Sequence, residues 1–238
     1  MGLMGLTLLT TALFYLVFKI FLPFEEAQTG AFITGFVIGG SMLASAAFNY
    51  FSTTANGSSY LTLPASSFEK WLCAILIVGI LFPGIFLLLF RVLDLTIIHL
   101  YHSGLDPKDP FYREKYQAVN LFPFDGFVAS KVYIMFLNST ALMLIGSLYF
   151  NKNNFIKCAL IACILFIGGH FLNGGIAGLF FTSIDKALPY YAVFITVGKE
   201  YGKIMLPAYA SKTVDFLLYI FPLTLWGVTW LRLKEKEF

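Results

Sequence analysis

The sequence predicts an all-α, polytopic membrane protein with six transmembrane helices and a surface elbow before the third. Two observations predict it. Of 238 residues, 58% are hydrophobic, 18% aromatic and only 12% charged, with a mean hydropathy of +0.79. A soluble domain of this length carries about twice that charge fraction. The apolar residues also gather into six segments, most of them close to the ~20 residues that cross ~30 Å of hydrocarbon. A membrane strand needs only ~10 residues and alternates in polarity, so these segments are helices. Disorder, collagen and a disulfide scaffold are excluded by the same apolar excess. The net charge of +3 is small and dispersed, and no nucleic-acid partner is expected.

The spans are expected at Leu3–Leu22, Ala31–Phe48, Trp71–Phe90, Val132–Phe150, Phe155–Phe181 and Val214–Leu231, all in a single transmembrane domain covering residues 1–238. The first starts in apolar sequence with neither a basic leader nor a small-x-small cleavage site, and reads as a retained helix. Lys19 near its end can snorkel. Pro23–Gly30 is a short link. The second span carries Gly35-x-x-x-Gly39, which permits close helix approach, as does Gly174-x-x-x-Gly178 in the fifth. Asn49–Lys70 is polar and rich in Ser, Thr, Asn and Gly. Arg91–Lys131 reads as a long external link, and Asn151–Asn154 as a short turn. The fifth span exceeds one crossing, so it tilts, bends or continues into an external helix. In Thr182–Lys212, Tyr190, Tyr191, Tyr201 and Tyr209 suit an interfacial helix or re-entrant segment. Cys73, Cys158 and Cys163 read as small buried hydrophobes. An even number of helices puts both termini on one side, but six basic residues on that side against nine on the other leave orientation unsettled.

An ionisable residue at depth is costly and marks a site. No Asp or Glu falls mid-span in this division, which disfavours ion-coupled carriers. His170 is deep, on one helix face with Asn173 among glycines. The pair reads either as a helix crossing bonded to a neighbour or as part of a substrate path. His99, His102 and Asp106 have metal-ligand spacing, yet no Glu is placed as a general base, and interfacial histidines are the reading preferred over a metal site. There is no Gly-x-Ser-x-Gly elbow, Cys–His pairing or P-loop. Gly198-Lys199 lacks the flanking residues of a phosphate loop, so neither a catalytic residue nor a cofactor is expected in this chain. Asn56-Gly57-Ser58 and Asn138-Ser139-Thr140 are formal glycosylation sequons, the second inside a span.

The most informative stretch runs from Tyr60 to Trp71. Pro64 stops what precedes it, and Ser66 with Glu69 forms a capping box that starts a helix at the membrane surface. Glu69 suits the helix N-terminus electrostatically, and Trp71 marks the interface. The element is either a rigid elbow that transmits force from a docked partner or an ordinary helix cap.

The pattern Leu61-x-Leu63-Pro64-Ala65-Ser66-x-x-Glu69-Lys70 between the second and third spans resembles the cytosolic loop of type-2 class ABC exporter permeases, in particular small Bacteroidetes-like permeases. The resemblance implies a six-helix permease subunit in a bacterial inner membrane, with both termini cytoplasmic. It implies a separate ABC ATPase docked on Leu63, Pro64, Ser66, Glu69 and Lys70, and a second permease copy or paralogue across the bilayer. The expected substrate is amphipathic or lipid-like, because the spans offer no charged site. The alternatives are a non-transporting scaffold of an envelope complex and, behind it, an interfacial metalloenzyme using His99, His102 and Asp106.

Overall fold

Segments this apolar and this long bury their backbone polar groups in their own hydrogen bonds, and they do so as helices. The computed structural model describes residues 2–48, 64–150, 153–180, 184–188, 192–197, 200–205 and 207–236. Its elements are α1 (Gly2–Phe21), α2 (Phe24–Ala46), α3 (Ser67–Ser103), the short α4 (Tyr112–Gln117), α5 (Phe127–Tyr149), α6 (Asn154–Phe180), strands β1 (Ile184–Leu188), β2 (Ala192–Val197) and β3 (Glu200–Met205), and α7 (Ala208–Glu235). Five of these, α2, α3, α5, α6 and α7, are long and apolar enough to cross a membrane. The expected first span is helical as α1, but its described side chains, Gly5–Phe21, make a shorter apolar stretch. The chain is thus a mostly helical, multi-pass membrane protein, with five such helices among the described residues where the sequence predicts six.

The helices sort into centre and periphery. In the most apolar stretch of α2, 56% of residues are buried, and in α5 44%; in α6 only 6% are. So α2 and α5 form the middle, and α6 turns nearly all its surface outward. Phenylalanines fill the bundle at one end. Phe82, Phe86 and Phe90 recur every four residues along α3 and stack at 5.7 and 5.9 Å between neighbours. From α2, Phe36 stacks on Phe136 of α5 at 4.3 Å. The other end is packed by Ala44, Val78, Leu144, Leu148, Cys158 and Leu233. Two π-helical turns, Thr34–Ile38 in α2 and Ile77–Leu81 in α3, interrupt the regular ladders.

Pro222 sits inside α7 and has no N–H to offer the carbonyl one turn back. That carbonyl, on Leu218, accepts instead from Asn138 Nδ2 of α5 at 3.0 Å. Satisfying a freed carbonyl from a neighbouring helix is what lipid demands. The side chain in the unusable sequon is therefore an interhelical staple.

Four expectations are corrected. The link Pro23–Gly30 is helix: Pro23 caps α2, whose first turn holds Glu25 and Glu26, favourable at a helix N-terminus. The link after the third span begins late, because α3 runs on through Arg91 to Ser103; its Phe stripe continues at the same spacing into Asp94 and Ile98, both buried. The described residues between 184 and 205 are strand where a helix is expected. They form a three-stranded antiparallel sheet in the order β1-β2-β3, with Ala192 opposite Met205 and Val197 opposite Glu200. The reason is composition: Val193, Phe194, Ile195, Thr196 and Val197 are strand formers in succession. Tyr201 lies in β3 and Tyr209 in the first turn of α7, while Tyr190 and Tyr191 fall outside the described residues. Of the cysteines, only Cys158 is buried; Cys73 and Cys163 are exposed on their helices, as lipid-facing residues are.

Outside the spans, Asp109 organises the turn into α4. Its Oδ1 accepts from the Phe111 N–H at 2.9 Å, and its Oδ2 pairs with Lys115 Nζ. The Lys115 hydrogen bond, then the Phe111 N–H, holds the Asp109 carboxyl below the usual carboxylate range. A depressed folded value means the contribution is present above the unfolded value and is lost as pH falls through the folded one. In an NMR titration Asp109 is expected to titrate below the ordinary value of about 3.9; a midpoint at or above it would contradict the pairing.

Candidate functional site

The elbow forms as its sequence predicts. Ser66 is the N-cap of α3 in extended conformation (φ −68°, ψ 156°). Its Oγ accepts from the Glu69 N–H at 3.3 Å, and Glu69 Oε2 accepts from the Ser66 N–H at 2.8 Å. Both halves of the capping box are made. Pro64, Ala65, Ser66, Phe68 and Glu69 are exposed, whereas Lys70 is buried. Leu61 and Leu63 lie outside the described residues. One turn in, Trp71 Nε1 donates to the Trp226 carbonyl of α7 at 2.8 Å. Phe68 and Trp230 pack around it, with ring centroids 5.5 and 6.5 Å from Trp71. The start of α3 is therefore bolted to α7 while its tip stands free in solvent.

At the other end of α3 lies a group that sequence reasoning missed. Asp94 is completely buried (0% exposed). Its Oδ1 accepts from Tyr15 Oη of α1 at 2.8 Å and from Gln28 Nε2 of α2 at 2.7 Å. Its Oδ2 accepts from the Phe122 backbone N–H at 2.9 Å. A carboxylate surrounded by three donors ties α1, α2, α3 and the segment before α5 into one knot. The signal was available: Phe82, Phe86, Phe90 and Asp94 are spaced four apart, which places Asp94 on the buried stripe. Sequence reading passed over Asp94 because it ended the third helix at Phe90, four residues earlier. Asp94 is about 35 Å beyond Trp71 at 1.5 Å per residue. That depth is past the ~30 Å of hydrocarbon, at headgroup level. Its three donors give it a fastening role, not that of an ion site open to a pathway.

Arg91 closes over this knot, its guanidinium 4.1 Å from the Phe124 ring centroid. Lys19 of α1 does so on the far side, 5.1 Å from the Tyr101 ring. Both cations keep their heads at the interface by lying on aromatic faces.

The other sequence-predicted residues do not come together as sites. His102 stacks on Tyr116 with centroids 3.8 Å apart, and its Nε2 lies 3.2 Å from the Tyr116 carbonyl oxygen. Asp106 Oδ1 accepts from the Lys108 N–H at 2.9 Å, and His99 is exposed. Among the described residues no group of three or more His, Cys, Asp and Glu side chains is arranged to hold a metal ion. His170 is exposed and Asn173 half-buried on α6. The glycines around them, Gly168, Gly169, Gly174, Gly175 and Gly178, have open space where a Cβ would stand. Among the described residues the expected helix crossing is not made at these glycines, because α6 is peripheral.

Comparison with known proteins adds no relative. No family model, no curated protein and no solved structure matches the chain. What the molecule does has to be argued from its own geometry: an exposed, capped elbow at one end of a 37-residue helix and a buried carboxylate knot at the other.

Proposed function

We propose that the chain is the membrane permease subunit of an ABC-type exporter, coupling a separate ATPase to the movement of an amphipathic or lipid-like substrate. The observation that carries this reading is the elbow. Its tip is exposed, its capping box is complete, and it continues without a break into α3. A docked ATPase that pushes on Pro64–Glu69 would move a lever anchored at Trp71–Trp226 and at Asp94, which is how rigid-body switching between two packings operates. The outer face of α6 supports a second permease copy or paralogue. It leaves His170 exposed on a helix whose apolar stretch is only 6% buried. Polar side chains on a lipid-facing helix favour an interhelical partner. The setting is a bacterial inner membrane, and with α1 taken as a sixth crossing both termini are cytoplasmic.

The test is purification of tagged full-length chain in gentle detergent, with mass spectrometry of what co-purifies and ATPase assays of the complex. A stoichiometric nucleotide-binding subunit is expected. Glu69→Arg is expected to abolish its stimulation, while Glu69→Gln, which keeps the capping box, retains it. Glu69 is exposed, so reversing its charge at the helix N-terminus leaves the bundle folded. Unchanged stimulation in Glu69→Arg would count against the coupling role. Recovery of envelope proteins with no ATPase would move the reading to a scaffold.

A further inference from the structure

Beside the Asp94 knot, about 40 Å along α3 from the elbow at 1.5 Å per residue, the structure opens a cavity of about 470 Å³. Ligand pockets occupy roughly 300–1,000 Å³. Its wall includes Glu25, Gln28, Asn120, Phe122, Asp125 and Phe127. Among the described residues no lysine, arginine or histidine lines it. Neither Glu25 nor Asp125 makes a hydrogen bond or ion pair to a described residue. Lys131, which lies over the Phe127 ring at 5.5 Å, is paired with Asp215 at 2.6 Å.

Gln28 supplies a separate observation. It is 3% exposed, and its Nε2 is used twice, on Asp94 and on the Asn120 carbonyl at 3.2 Å. Those two acceptors fix which way the amide points. Oε1 is left as an acceptor with no hydrogen bond to any described residue, in a side chain that lines the cavity. That oxygen is reached from the cavity, so a donor placed there can bond to it. Leu121, Pro123 and Val128 make the rest of the wall apolar. Gly126, at φ +94° with no atom near its missing Cβ, lets the chain turn around the rim into α5.

We infer that this cavity binds an organic ammonium ion that carries a short apolar portion. The N–H donors face Gln28 Oε1 and the Glu25 and Asp125 carboxylates, and the apolar portion lies against the Phe122 and Phe127 rings. Two sources share that chemistry: the ethanolamine headgroup of a lipid, since the cavity sits at headgroup depth, and a free alkylamine. The inference does not depend on the permease reading.

The experiment titrates butylammonium and its neutral counterpart butanol into the full chain in non-ionic detergent by calorimetry. The wild type and Glu25→Gln/Asp125→Asn, both conservative exposed positions, are compared after matching their melting curves. Butylammonium is expected to bind, butanol not, and the double variant to bind at least tenfold more weakly, as loss of a charge-assisted contact does. Native mass spectrometry from nanodiscs then separates the sources. Retention of phosphatidylethanolamine by wild type alone supports the lipid headgroup, and butylammonium binding without it supports a free amine. Equal affinity for butylammonium and butanol, or binding that ignores both substitutions, overturns the site.

Discussion

Asp94→Ala is expected to destabilise the protein by about 3–5 kcal/mol, because it removes the shared acceptor of three buried donors at once. Tyr15 Oη, Gln28 Nε2 and the Phe122 N–H all face Asp94. Gln28 retains the Asn120 carbonyl, but no other hydrogen bond from Tyr15 Oη or the Phe122 N–H is present among the described residues. Detergent-solubilised unfolding curves read the total. Limited proteolysis reads where it is lost: the segment between α3 and α5 is expected to be cut first, since Asp94 is its fastening to the bundle through Phe122. Tyr15→Phe removes one donor and is expected to cost about 1–2 kcal/mol. In the Asp94→Ala background the same change is expected to cost little, because the interaction is already gone. Full additivity of the two losses would show that the knot is not one unit. Asp94→Asn keeps the shape and one acceptor, so its loss is expected to fall between the two.

Asp94 also shows where sequence reading stops. Its own position was legible from the four-residue spacing of Phe82, Phe86 and Phe90. Its partners come from residue 15, residue 28 and a backbone amide at 122, and no local pattern connects stretches that far apart. The capping box was legible because Ser66 and Glu69 are three residues apart and every bond in the box is local. The spans were legible because lipid selects apolar side chains along whole helices, although Arg91 was read as an end when it merely lies across Phe124. The sheet was missed because its tyrosines suggested an interface, while the succession from Val193 to Val197 carried the structure. His170 and Asn173 were placed correctly on one helix and given the wrong surroundings. Whether a helix is central or peripheral depends on all the others.

The glycine pairs carry that distinction furthest, because two identical motifs have opposite surroundings. A Cβ on Gly35 would overlap Thr11 Oγ1 of α1 and come within 2.8 Å of Phe86 Cζ of α3. One on Gly40 would overlap Phe136 of α5. At both positions the missing Cβ leaves room that neighbouring side chains fill. Gly35→Val is therefore expected to cost at least 1–3 kcal/mol, because α1 and Phe86 must both give way in an already close-packed core. A Cβ on Gly174 or Gly178 meets nothing, so Gly178→Val is expected to stay within about 0.5 kcal/mol in the isolated chain. The two substitutions exchange the same atoms, so the difference between them reads the surroundings of each glycine. Thermal unfolding of both variants checks it. A second chain seated on α6 changes one arm only: Gly178→Val would then weaken the assembly, seen as a shift to smaller particles by light scattering, while the melting of the separated chain stays put. Equal destabilisation of the separated chain by both would mean that α6 is packed within the chain and that its glycines do the same work as those of α2.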